Sequence, residues 1–360
     1  MSLVPTFIEN LHPYVPGKPI EETEREYGIS GAVKLASNEN PLGASPKALE
    51  AIARALPKLH LYPDGASFYL KRRMAAKFGV EESQLVLGNG SNELIELLIR
   101  TFVHGDDEIL TSAQTFAVYG IAAQAVGRKF VAVPMKDRAF DLDAMAKAAN
   151  PKTRMVFIAN PDNPGGSYQG HDALVRFLDA IGERPLVVMD EAYYEYVTAA
   201  DYPQSLELQK RYPNIVVLRT FSKAYGMAGI RLGYGIARPE IVGYLERTRA
   251  PFNVSLLAQI AGLAAIDDDE HVQRSRELNR RGLEELSREL PKFGLTVMPS
   301  QGNFVLVDFH RPAGPINEAL LRQGIIVRPM GGYGYPTCLR ISTGTAEDHR
   351  KLLAALAKVL

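Results

Sequence analysis

Residues 215–235 read IVVLRTFSKAYGMAGIRLGYG. The run Ile215-Val216-Val217-Leu218 has the length and composition of a buried strand. A polar corner, Thr220-Phe221-Ser222-Lys223, follows it, and a glycine-spaced segment then leads to Arg231 and a second apolar run. The stretch therefore sets one lysine at the carboxyl end of a strand, beside two hydroxyls and eight positions before an arginine. Ligands of open α/β sheets collect at such strand ends, and a lysine there suits imine formation next to a bound phosphate group. The same pattern, taken alone, suits a surface lysine after a strand, and the stretch leaves both readings open.

Outward from this stretch, strand-like apolar runs recur at about 84–87, 108–111, 129–133, 155–159, 186–189 and 233–236. They alternate with helical patterns at about 94–102, 116–126, 142–148 and 172–181. Strands alternating with helices imply an α/β large domain whose mainly parallel (mixed) sheet is sandwiched by helices, expected over residues 33–247. Ser45-Pro46 predicts a helix start that Pro57 closes, and Gly79 should end a helix over 68–78. Residues 1–32, rich in proline and charge, predict an N-terminal arm packing with a second unit. That unit, a smaller α+β domain over 248–360, begins with a long helical stretch to about 290. Strands follow near 295–297, 303–308, 325–328 and 339–342, and a closing helix covers 347–360.

The composition is that of a globular protein: 46% hydrophobic, 23% charged, and 41 basic against 41 acidic residues, for zero formal charge. Such a balance offers neither a basic stripe for nucleic acid nor a cationic face for an anionic membrane. Cys338 is the single cysteine, which excludes an internal disulfide and a multi-cysteine metal site and fits a reducing compartment, with cytoplasm as the expectation. No signal-peptide pattern and no bilayer-length apolar run is evident. His104, His171 and His349 are expected to be solvated, and no spacing suggests a metal.

Three strand ends carry polar residues in succession: Asn160-Pro161-Asp162-Asn163-Pro164-Gly165-Gly166, Asp190-Glu191-Ala192-Tyr193, and Ser222-Lys223. Each is ordinary by itself, as a turn, a helix start or a strand-end cation. Val187-Val188-Met189-Asp190-Glu191 also suits the magnesium-binding strand of a P-loop nucleotidase, but the chain contains no G-x-x-x-x-G-K-[ST]. An imine-forming lysine, a buried carboxylate, a phosphate cradle and an arginine are instead the parts that pyridoxal phosphate requires. Together with Leu11-His12-Pro13-Tyr14, Leu35-Ala36-Ser37-Asn38-Glu39-Asn40-Pro41 and Leu339-Arg340-Ile341-Ser342-Thr343-Gly344-Thr345, these motifs cover nearly the whole chain. The chain resembles pyridoxal-phosphate aminotransferases of fold type I, most closely the histidinol-phosphate aminotransferase family.

The resemblance implies roles. Lys223 would hold the cofactor covalently and shuttle the substrate proton. Asp190 would pair with the pyridinium nitrogen, Asn163 and Tyr193 would hydrogen-bond the phenolic oxygen, and Phe116 would stack on the ring. Ser91, Asn92, Thr220, Ser222 and Arg231 would hold the phosphate. Tyr62 would reach the phosphate of a neighbouring subunit in a homodimer, a reading favoured over a turn aromatic packed on its own domain. Arg340, Arg328, Tyr14 and Asn38 would meet the substrate, with an exposed strand-end charge equally open for Arg328. The implied reaction moves the amino group of L-histidinol phosphate to 2-oxoglutarate, giving imidazole acetol phosphate and glutamate. Aromatic amino-acid transamination and threonine-phosphate decarboxylation are the alternatives within this architecture, and a non-catalytic regulatory domain is the alternative outside enzymes. Two departures from the family pattern stand out. Gly165 replaces a usual threonine, and the glycine-rich loop 330–336 holds Tyr333 and Tyr335, which are expected to shape the pocket.

Overall fold

The structure is a computed structural model that describes residues 2–360. Its strands in chain order are β1 Val33–Lys34, β2 Leu85–Gly88, β3 Glu108–Ser112, β4 Lys129–Val133, β5 Thr153–Ala159, β6 Leu186–Asp190, β7 Ile215–Thr220, β8 Gly233–Ile236, β9 Thr296–Val297, β10 Phe304–Asp308, β11 Ile325–Ile326, β12 Arg328–Pro329 and β13 Cys338–Ser342.

Seven of them form one sheet in the order β2-β8-β7-β6-β5-β3-β4. All neighbours are parallel except β8, which runs antiparallel to both β2 and β7. Helices on both faces bury the central strands completely, which is why they read as unbroken apolar runs rather than as alternating patterns. Parallel strands share a direction, so β5, β6 and β7 release their following loops from one edge of the sheet. In register, Ala159 pairs with Asp190, and Asp190 with Leu218. Strand β8 runs the other way and so starts at that same edge, just after Arg231. Gly233 pairs there with Thr220 on one side and with Gly88 on the other. The α/β architecture expected from the alternation is present, and the sheet topology alone gathers the loops that follow β2, β5, β6 and β7.

The second unit is a four-stranded antiparallel sheet in the order β12-β13-β10-β9, with β1 and β11 paired in parallel beside it. Its apolar core is a cluster separate from that of the large sheet. Two segments cross the expected divisions at 33 and 247. Val33 and Leu35 pack with the smaller core, whereas Val254, Ala258, Ala261 and Ala265 pack with the larger one. The arm also divides. Ile20 and Tyr27 pack near Leu321 and Ile326, but Gln124 of the helix Val118–Ala125 donates to the carbonyl of Phe7 on the large unit.

Local differences from the sequence expectations have local causes. The helical stretch 253–290 divides into Leu256–Ala265 and Asp269–Glu289. Between them Asp268 accepts a hydrogen bond from Ser45 at 2.5 Å and pairs with Lys47 at 2.9 Å. The acidic run there favours the positive end of a helix dipole over continuation of the preceding helix. The expected strand 325–328 is two pieces, because Val327 lies where the chain leaves β1 to join β13. His349 is not solvated. It is 1% exposed, its Nε2 accepts the Gly344 N–H at 2.9 Å, and its Nδ1 therefore donates to Glu285 at 2.7 Å. Among the described residues no helix is long and apolar enough to cross a membrane.

Candidate active site

A cleft of about 280 Å³ opens at the carboxyl edge of the large sheet, where it meets β12, β13 and the arm. Every site residue expected from the sequence lines it except Tyr62.

Lys223 stands at the centre. Its Nζ lies 3.2 Å from the Ser37 carbonyl and 3.3 Å from that of Asn38, and 5.7 Å from the centroid of the Tyr193 ring. Burial, and after it the charge of Arg340, lowers its pKa to about 8, so the nucleophilic neutral amine is far more accessible than on a surface lysine. Asp190 ends β6 beside it. Its Oδ2 accepts the Tyr119 hydroxyl at 2.6 Å, while Oδ1 is buried with no partner. Burial raises this carboxyl to about 6. A buried carboxylate oxygen facing a cleft without a donor fits a cationic N–H from a ligand. Tyr119 went unassigned in the sequence; it lies in the first turn of the helix Val118–Ala125, and Phe116 lies in the loop just before that helix. Their rings meet edge to face at 5.6 Å, and Tyr119 stacks on Phe157 at 4.6 Å.

One end of the cleft is built to receive an anion. The helix Ser91–Phe102 begins there behind Gly90, and no side chain caps it. Its first N–H groups thus carry the positive end of the dipole. Gly90 has φ 77°, and a Cβ there would fall 2.3 Å from Nη2 of Arg231. Gly233 is equally confined, since its Cβ would lie 2.3 Å from the Ser91 nitrogen. Both glycines let backbone and guanidinium converge on one point. Arg231 is exposed toward the cleft and makes no ion pair among the described residues. The Thr220 hydroxyl donates to Ser222 Oγ at 3.0 Å and accepts the Ser222 N–H at 3.1 Å, which fixes the hydroxyl at this corner.

The opposite end holds two more arginines. Arg340 of β13 is 5% exposed; it donates to Asn163 Oδ1 at 2.5 Å and to the Ala36 carbonyl at 2.7 Å. Its Nε has no partner, and no carboxylate pairs with it among the described residues. Burial lowers its pKa, so its charge is held at an energetic cost that an anionic ligand would relieve. Arg328 faces it across the strand pair, over the ring of Tyr14 at 5.5 Å, and donates to the Val15 carbonyl. Because Arg340 occupies Oδ1 of Asn163, the amide nitrogen of that side chain is left for the cleft.

Asn38 lines the cleft, as expected. Its side chain is already committed within the protein, donating to the Tyr193 hydroxyl and accepting from Ser342, each at 2.9 Å. Tyr333 and Tyr335 do not line the cleft. They pack with Leu306, Met330 and Cys338, because the loop folds back over that small apolar cluster. The Gly165 departure has a local counterpart: a Cβ there would lie 3.0 Å from the buried carboxylate of Asp162, which takes a hydrogen bond from Thr115 at 2.7 Å and the Gly165 N–H at 3.1 Å. Tyr62 is 83% exposed, outside its own cleft, and stacks on Phe252 at 4.9 Å.

The family described as aminotransferase class I and II matches residues 30–356. A histidinol-phosphate aminotransferase of Anaeromyxobacter sp. (strain Fw109-5) is 54% identical over all of both chains. Histidinol-phosphate aminotransferase 2 of Pseudomonas aeruginosa is 49% identical, covering 100% of this chain and 98% of its own. The chain belongs to the histidinol-phosphate aminotransferase family. Among solved structures, the histidinol-phosphate aminotransferase of Sinorhizobium meliloti in complex with pyridoxal-5′-phosphate superposes with a TM-score of 0.92 at 30% identity, covering 100% of this chain and 98% of that one. The L-threonine-O-3-phosphate decarboxylase of Porphyromonas gingivalis shares the fold, with a TM-score of 0.81 at 19% identity. Family membership gives the cleft its chemical context: an anion end, a central amine and carboxylate, and a second anion end.

Proposed function

We propose that this chain is a pyridoxal-phosphate-dependent aminotransferase that moves the amino group of L-histidinol phosphate to 2-oxoglutarate, giving imidazole acetol phosphate and L-glutamate. The observation that carries this reading is Arg340, a buried guanidinium with only neutral oxygens for partners, aligned with Arg328 at the end of the cleft away from Arg231. One anion site suits the cofactor's phosphate, and the other suits a phosphate or carboxylate on the substrate. Histidinol phosphate and the dicarboxylate acceptor each bring an anionic group to that second site.

The residues present fit the cofactor. The unpartnered Oδ1 of Asp190 suits a pyridinium N–H, and the uncapped helix start beside Gly90, with Arg231, suits its phosphate. Phe116 suits the ring face, while Asn163 and Tyr193 suit the phenolic oxygen. When bound, pyridoxal phosphate supplies a carbonyl carbon that takes and returns the amino group and a ring that accepts the electron pair left when the Cα–H bond breaks. Lys223 Nζ, neutral above about pH 8, is the base that would take the proton from Cα and give it back at the cofactor's carbonyl carbon, on the far side of the transferred nitrogen. Asp190 holds its negative charge against the ring nitrogen and keeps that proton in place. Arg340 and Arg328 orient the substrate so that its Cα–H bond faces Lys223, which turns proton transfer into a local event. The return half-reaction reuses the same groups with the acceptor's carboxylate at Arg340.

The relatives matched along the whole chain favour this reading over the aromatic and decarboxylase alternatives. The reading extends to a homodimer. Leu59, Leu61, Tyr62 and Tyr69 are exposed apolar or aromatic residues close together in the chain, and Tyr62 stacks on exposed Phe252, surface suited to cover by a second copy, whose cleft Tyr62 would complete. A cytoplasmic location goes with the same proposal. Initial rates on histidinol phosphate, phenylalanine and threonine phosphate test the substrate, and absence of turnover on the first overturns it. Borohydride reduction should trap the cofactor on the Lys223 peptide. In mixtures of Lys223→Ala and Tyr62→Phe chains, a hybrid with one undamaged cleft should form and recover activity; an activity equal to that of the two unmixed variants would remove the shared site.

A further inference from the structure

Ser342 has no place in the reaction as described, yet it grips the residue that touches both Lys223 and Tyr193. Its Oγ accepts the backbone N–H of Asn38 at 2.9 Å, and its own hydrogen goes to Asn38 Oδ1, also at 2.9 Å. Asn38 is 1% exposed and holds φ 54°, a left-handed conformation uncommon outside glycine, and the double grip from Ser342 spans its backbone and side chain. With Oδ1 committed to Ser342, the amide nitrogen of Asn38 is the group that faces Tyr193, donating to its hydroxyl oxygen at 2.9 Å. The carbonyl of the same residue accepts from Lys223, and Asn303 Nδ2 donates to that carbonyl at 3.0 Å from behind.

The direction of these bonds has a consequence at Tyr193. A hydroxyl oxygen that accepts from Asn38 must send its own hydrogen elsewhere, and no protein acceptor for it exists among the described residues. The open side of Tyr193 is the cleft. We propose that Ser342 is a positioning residue that, through the amide of Asn38, aims the hydroxyl hydrogen of Tyr193 into the cleft toward the cofactor's phenolic oxygen. The relay runs from β13 through Asn38 to the loop after β6, so the smaller unit sets the hydrogen-bond polarity of a group carried by the larger one. A serine in a strand, 3% exposed and outside the lining of the cleft, thereby adjusts the cofactor's electronic state.

The proposal rests on the pyridoxal-phosphate reading of the cleft, and holoenzyme spectroscopy separates the two. A donor to the phenolic oxygen favours the deprotonated form of the lysine-bound cofactor, so the pH midpoint of its visible absorbance reads the Tyr193 hydrogen. Lys223, Asp190 and Arg340, the charged groups around Tyr193, and the hydroxyl of Tyr14 are untouched by Ser342→Ala. That variant should raise the midpoint by roughly one pH unit, the equivalent of one hydrogen bond. Ser342→Thr, which keeps the hydroxyl, should restore it. In a Tyr193→Phe background, Ser342→Ala should produce no further shift, whereas a merely structural defect would move both backgrounds alike. If Ser342→Ala does not fold, Asn38→Asp serves instead: it removes the amide donor, invites the Tyr193 hydrogen away from the cleft, and should shift the midpoint further with Tyr193 present than with Tyr193→Phe. A zero difference between backgrounds overturns the relay alone. A wild-type holoenzyme that shows no cofactor trapped on Lys223 overturns the relay and the proposed function together.

Discussion

The two ends of the cleft are both cationic, but they are made in opposite ways. The Arg231 end is assembled at one edge of the large sheet, where β2 and β7 end on either side of the antiparallel strand β8 that starts between them. The Arg340 end is assembled from the arm at Tyr14, the turn at Ala36–Asn38, and two strands of the smaller sheet. At the first, glycines let main-chain N–H groups do much of the work, and the cation is open to the cleft. At the second, a guanidinium is buried among neutral oxygens, so its charge is worth more to an incoming anion because less water competes for it. The difference teaches that one end is suited to holding a resident group and the other to a ligand that comes and goes.

Four outcomes would break or sharpen that contrast. Lys223 belongs to neither end, and its removal should outweigh any change at them: Lys223→Ala should lower turnover by at least about 10²–10⁴-fold, the scale of lost general acid–base catalysis, in a steady-state assay. Arg340→Met should reduce kcat/KM for histidinol phosphate by about 100-fold, on the scale of charge-assisted hydrogen bonds, while the cofactor's absorbance persists. Loss of the cofactor in that variant would refute the separation of the two ends. Gly90→Ala forces a Cβ into the space of Arg231 in a left-handed conformation, and should weaken cofactor affinity by about tenfold, read by equilibrium titration, with a smaller change in KM for substrate. The smallest effect is a linkage. In the cofactor-free chain the folded-state pKa of Lys223, about 8, lies below its ordinary 10.5, so between those values the unfolded state binds the extra proton and stability rises with pH. Denaturant titrations at pH 8 and pH 9.5 should show the cofactor-free wild type gaining about 1 kcal/mol relative to Lys223→Met. That figure is reduced from the full linkage because Lys223 is partly open to solvent.

Legibility in the sequence follows the same contrast. Lys223, Asp190 and Asn163 could be found because each follows an apolar run closely, and alternation of strands and helices implies that such positions share an edge. Arg340 could be found because an arginine inside an apolar strand pattern is anomalous. Tyr119 was missed because a tyrosine in a helical pattern is indistinguishable from core until its hydroxyl meets Asp190. His349 was misjudged because burial of a histidine in a charged helix depends on what packs over it, here Gly282 and Gly344. The tyrosines of the 330–336 loop are expected from the sequence to shape the pocket, but the loop folds back onto its own cluster.

By itself the sequence determined the strand and helix segments, the mainly parallel sheet, and the strand-end chemistry around Lys223, because hydrophobic periodicity and turn residues are local properties. Only the tertiary structure decided which polar atoms are left without partners: Oδ1 of Asp190, Nε of Arg340 and the hydrogen of Tyr193. Satisfaction of a buried polar group depends on every neighbour at once, and those neighbours come from segments as distant as Asn38 and Ser342.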